Sequence, residues 1–114
     1  MTANDIINFW FSEIDSALWW KKDPAFDEQI RTRFGAIHAQ ATRGELAHWR
    51  TDAQGRLGEI IVLDQFSRNL YRNNSQAFAN DLAALILAQE CLSLGLDQHL
   101  NTVQKSFLYL PFMH

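Results

Sequence analysis

Ile60-Ile61-Val62-Leu63-Asp64-Gln65-Phe66-Ser67-Arg68-Asn69-Leu70-Tyr71-Arg72 joins the most apolar run of the chain to an acid, two amides and two arginines. On a helix turning about 100° per residue, Asp64 falls between Leu57, Ile60 and Ile61, and Arg68 follows one turn later on the same stripe. That stripe is the core side. An isolated charge there is costly, so the stretch predicts a helix carrying a buried polar network rather than a solvated acidic face. Asp64 preceding Arg68 by four residues is also the favourable order for an ion pair along one helix.

Outward from this stretch, the punctuation is helical throughout. Thr2 with Asp5 can open a first helix bearing Ile6, Ile7, Trp10, Phe11 and Ile14. Asp23-Pro24 is an N-cap followed by proline at the first helical position, and Phe26, Ile30, Phe34, Ile37 and Ala41 then form a stripe that Arg43-Gly44 ends. Asp27 and Glu28 are read as charges near the positive end of that helix. Thr51 with Gln54 is read as a capping box opening the third helix, which carries the Asp64 stretch to an asparagine-rich turn at 69–74. A fourth helix is expected from Asn74 or Ser75 to Leu94, with Gly95 beyond it. Its bulk comes from Phe78, Leu82, Leu85, Ile86 and Leu92, and its smooth strip of Ala77, Ala84 and Ala88 around Asp81 invites another helix. Asn101 with Gln104 starts a fifth helix that is interrupted at Pro111. No alternating β-branched run is present. The fold expected is all-α, about five helices in antiparallel pairs forming a single domain over residues 1–114.

Composition narrows the function classes. With 114 residues, 47% hydrophobic and 12% aromatic, the chain has material for one sizeable core and is not a disordered sequence. Ten basic residues against thirteen acidic ones, scattered along the chain, argue against nucleic acid as a partner. No run approaches the roughly twenty apolar residues of a membrane span, and Cys91 stands alone, so a cytoplasmic protein without disulfides or membrane contact is expected. Glu45-Leu46-Ala47-His48 has the spacing of half a di-metal site, but a second copy is missing, and no metal or cofactor is expected. Of Trp19 and Trp20, only one can face inward.

The candidate site is therefore Asp64, Gln65, Arg68, Asn69, Arg72 and Asp81, to which the terminal His114 is added as a candidate acid or base. In the first reading these residues tie helices together within a binding or scaffold module, whose partner is another protein or a second copy through an apolar segment from Phe107 to His114. In the second they form an enzyme or sensor site for a small carboxylate or phosphate. Asp64 would then be a base or orienting group and the arginines would be forks for the anion. Arg72, past the helix end, is expected to be the freer fork, with Arg68 committed to Asp64. No catalytic residue is assigned.

Trp19-Trp20 before Asp23-Pro24-Ala25-Phe26-Asp27, Gly44-Glu45-Leu46-Ala47-His48-Trp49, Leu63-Asp64-Gln65-Phe66-Ser67-Arg68-Asn69, Ala77-Phe78-Ala79-Asn80-Asp81 and Phe107 through His114 resemble, in order, an uncharacterised bacterial family, the domain of unknown function 924. The resemblance implies a tetratricopeptide-like stack of helix pairs and no established activity. It also implies proline where this chain has Ser67, and a second half after the position of His114. On that comparison the chain corresponds to an amino-terminal portion.

Overall fold

The structure, a computed structural model, describes residues 1–114 and is all-α. Its helices are α1 (Ala3–Asn8), α2 (Pro24–Thr42), α3 (Ala53–Ile61), α4 (Ser67–Leu70), α5 (Asp81–Ser93) and α6 (Thr102–Tyr109). A widened π turn, Val62–Phe66, joins α3 to α4 without a break, so five helical rods are seen. No helix is long and apolar enough to cross a membrane.

The α3–α4 rod is the axis on which the others are laid. Going up α2, Asp27 meets Asn69, Arg31 meets Leu70 and His38 meets Ser67, so α2 runs antiparallel to the rod. Along α5, Asp81 meets Arg68 and Glu90 meets Arg56, again antiparallel. α6 runs with the rod, since Gln104 pairs with Gln54 and His114 with Asp64. α1 does the same, placing Ala3 beside Gly58 and Trp10 beside Phe66. The antiparallel pairing expected from the sequence is thus present on both sides of one central rod.

Local chemistry explains the boundaries. Asp23 caps α2 by accepting from the Phe26 N–H, and Pro24 stands where its missing N–H costs nothing. Gly44 and Gly95 take positive φ after α2 and α5, the left-handed conformation that glycine adopts freely. Thr2 with Asp5 and Asn101 with Gln104 form capping boxes at α1 and α6. At α3 the expected capping box gives way to Asp52, whose carboxylate accepts from the Gly55 N–H at 2.7 Å. Gly55 itself lies so close to the Trp49 carbonyl that a Cβ there would fall 1.8 Å from the oxygen, which makes the residue a packing requirement.

Two helices widen into π turns. The first changes after Asn8 into a π turn, Phe9–Glu13, and Phe9 and Trp10, three and four residues after Ile6, are buried with it on one face. The central rod is enclosed on all sides, and the residues of its π turn, Val62, Leu63, Asp64, Gln65 and Phe66, are all buried.

Helix α5 is shorter than expected. Asn74 caps only a single 3₁₀ turn, Ser75–Phe78, and α5 begins afresh at Asp81. Its small residues Ala84, Ala88 and Cys91 face the rod, where they allow close approach, while Leu82 (68% exposed), Ile86 and the preceding Phe78 point to solvent. The carboxy-terminal segment divides: Phe107, Leu108 and Pro111 are buried, and Phe112 and Met113 are exposed.

Candidate functional site

Asp64 is 1% exposed and sits in the π turn of the central rod. A π turn breaks the regular succession of backbone hydrogen bonds, and side chains answer it here. The Ser67 hydroxyl donates to the Leu63 carbonyl at 2.6 Å, and Arg68 Nη1 donates to the Asp64 carbonyl at 3.2 Å. The carboxylate of Asp64 then collects three partners. Arg68 Nη1 donates to one oxygen, Gln65 Nε2 donates to the other at 3.2 Å, and the His114 Nε2 lies 2.9 and 3.1 Å from the two. A full set of charge-assisted bonds is what allows an acid to be held in this interior.

Arg68 passes the connection on. Its two Nη groups donate to the carboxylate of Asp81 at 3.0 and 3.2 Å, joining the rod to the start of α5, and its guanidinium lies 5.4 Å from the centre of the Phe78 ring. The expected link among Asp64, Arg68 and Asp81 is therefore present.

Arg72 is a correction. It does lie beyond the end of α4, but its fork is not open to a ligand as expected. Nε and one Nη are bound to the two oxygens of Asp27 at 2.7 and 3.0 Å. Asn69 donates to the same carboxylate at 2.9 Å. Burial alone would raise the pKa of Asp27, but the hydrogen bonds from Arg72 and Asn69 outweigh it and hold the carboxyl below its ordinary value. The same bond raises the Arg72 pKa. Beyond its place near the helix dipole, Asp27 precedes Ile30 by three residues on the buried stripe of α2, a charge on an apolar face as Asp64 is.

Two further buried polar groups lie outside the sequence-based candidates. Glu59, 1% exposed, takes a two-pronged bond from Arg50 at 2.7 and 2.8 Å. His38 is buried against Ser67, whose hydroxyl already donates to Leu63, so the imidazole Nε2 donates to Ser67 Oγ at 2.8 Å. Burial pushes the pKa of His38 down and keeps the ring neutral.

Gln65, Arg68, Asn69, Arg72 and His114 converge on one wall of a cleft of about 250 Å³, with Trp19, Trp20 and Lys21 on the other side. Trp20 and Lys21, which sequence reasoning did not place in the site, come from the loop before α2. Trp19 is pinned there by its indole N–H, which donates to the Trp10 carbonyl at 3.0 Å. Of the cleft's cations Lys21 is the most loosely held, with its Nζ 4.0 Å from Asp23. A larger cavity of about 370 Å³ is lined by Met1, Ile37, Gln40, Glu45 and Trp49 among others, but it touches none of the network residues. Glu45 there is bonded to Arg43, and His48 lines the same cavity.

The histidine chemistry has a definite sign. A lowered histidine pKa means that the unfolded chain takes up the proton first, so stability contributed by neutral His38 is lost as pH falls below about 6.5. Asp27, with its lowered pKa, contributes stability above about pH 3.8 that is lost only as pH drops through its folded value. Replacing His38 with glutamine, an amide that donates to Ser67 without titrating, is expected to flatten the decline in Tm between pH 7 and 5. Equal slopes in the two proteins would contradict the assignment.

Comparison with known proteins places this geometry in a family. No match is found among functionally curated proteins. A solved structure entitled "Structure of Protein of Unknown Function ATU0120 from Agrobacterium tumefaciens" superposes with a TM-score of 0.92 at 38% identity, covering 98% of this chain and 63% of its own. The present chain therefore spans less than two thirds of the length of that relative. Residues 6–114 match the family described as "Bacterial protein of unknown function (DUF924)", and the chain belongs to that family.

Proposed function

We propose that the domain is a binding module whose cleft between the Trp19-Trp20-Lys21 loop and the α4 wall takes a small anionic ligand. The observation that supports this is the convergence of Gln65, Arg68, Asn69, Arg72 and His114 on an open cleft. The edges of these groups that face the cleft are open to a ligand from solvent. Asp64 fixes Arg68 and His114, and Asp27 fixes Arg72, so the polar wall is organised before a ligand arrives. The anion contacts are Lys21 and the second Nη of Arg72, which Asp27 leaves unused. We read the antiparallel stacking about the central rod as tetratricopeptide-like, an architecture suited to presenting such a surface.

Acetate and phosphate are the simplest probes. Either, at a hundredfold excess over its dissociation constant, is expected to stabilise the fold by about 2.7 kcal/mol. Lys21→Ala should remove most of that gain without lowering Tm in anion-free buffer, because the Lys21 side chain is 63% exposed. If neither anion raises Tm in the parent protein, the cleft is not an anion site.

A second reading, self-association, is favoured by α5. Leu82 and Ile86 stand one turn apart on its solvent side, with Phe78 leading into them, and the row contains no charge. A second copy is the partner we propose, since an uncharged row can meet itself across a twofold axis. Sedimentation equilibrium should show a dimer that Leu82→Glu dissociates; a parent protein that stays monomeric at high concentration contradicts this reading.

A further inference from the structure

The cleft holds an aromatic surface that anion binding alone does not require. Trp20 is 67% exposed, yet it is not loose: its ring is stacked on Phe107, with centroids 5.5 Å apart and planes within 7°. Trp19 meets it edge-on, with centroids 6.3 Å apart. Phe107 overlaps one face of the Trp20 ring in an offset stack, and Trp20 lines the cleft together with Lys21. An indole fixed in this way costs little entropy when a second ring is laid against it.

Size and charge narrow what that ring belongs to. A cleft of about 250 Å³ lies below the roughly 300–1,000 Å³ of pockets that take drug-sized ligands, which leaves room for one ring or two fused rings. The cations Lys21, Arg68 and Arg72 are already partnered by Asp23, Asp64, Asp81 and Asp27. No surplus of positive charge is left for a ligand, which favours a single carboxylate over a phosphate dianion.

We propose, resting on the anion-binding reading above, that the ligand is a small aromatic monocarboxylic acid, its ring stacked on Trp20 and its carboxylate directed to Lys21 and Arg72. Trp20 is then the residue that selects the ligand class, while the polar wall supplies the charge recognition. The neighbouring His114, whose Nε2 is held by Asp64, also lines the cleft.

The test compares four probes on the full 114-residue chain by following the indole N–H signals in two-dimensional NMR. Benzoate carries ring and charge, cyclohexanecarboxylate carries charge and bulk without a π face, acetate carries charge alone, and benzyl alcohol carries the ring alone. Benzoate is expected to bind about tenfold more tightly than cyclohexanecarboxylate or acetate, with the largest shift at the Trp20 indole, and benzyl alcohol more weakly than benzoate. Trp20→Leu should remove the tenfold preference and Trp20→Phe should keep most of it. If acetate binds and benzoate binds no better, the aromatic proposal is overturned while the anion site stands. If no carboxylate binds, the aromatic proposal is overturned, and the anion site falls with it when phosphate also leaves Tm unchanged. The probe series on the parent protein decides the matter even if Trp20→Leu does not fold.

Discussion

A carboxylate buried at a widened turn is the constraint on which the arrangement of this protein depends. Asp64 cannot occupy the interior unpaired, and the π turn that carries it also leaves backbone carbonyls in need of donors. Ser67 and Arg68 meet the second need, and Arg68, Gln65 and His114 meet the first. Because Arg68 continues to Asp81 and His114 closes the chain's last turn, one acid joins the central rod to α5 and to the segment after α6. Asp27 does the same for α2 through Asn69 and Arg72. The apolar residues supply most of the stabilisation, but they are non-directional, and these bonds fix the relative rotation of the rods.

The same constraint shapes the cleft. Polar groups that hold three rods at their common end cannot all be enclosed, and the exposed edges of Gln65, Asn69 and Arg72 form a wall facing the tryptophan loop. Trp19 is anchored by its bond to the Trp10 carbonyl, and Trp20 by its stack on Phe107, which is itself in the core. The cleft is thus a by-product of helix packing that has acquired a rigid aromatic side. In a chain with no catalytic motif, it is the place where charge, an open volume and a fixed ring coincide.

Much of the fold was legible because its signals are local. The Asp23-Pro24 start, the glycines after α2 and α5, and the capping boxes at Thr2 and Asn101 involve residues within four positions of each other. Asp64, Arg68 and Asp81 were identifiable because a charge on an apolar stripe demands a partner. What was not legible depends on contacts distant in sequence. Asp27 and Arg72 are 45 positions apart, so nothing in the asparagine-rich turn reveals that the fork is already occupied. On α5, bulk pointed the wrong way: Leu82 and Ile86 are more apolar than Ala84 and Ala88, yet close approach to the rod selects the small residues.

The most direct measurement of the central claim is a double-mutant cycle on Asp64→Ala and Arg68→Ala, read by equilibrium unfolding. Removing Arg68 alone leaves the carboxylate of Asp64, 1% exposed, without its arginine and is expected to cost on the order of 3 kcal/mol, whereas removing both should cost clearly less than the sum of the single changes. The account predicts a coupling of at least about 1 kcal/mol between the two. Additive losses, with no coupling, would show that the buried acid does not organise the packing around it.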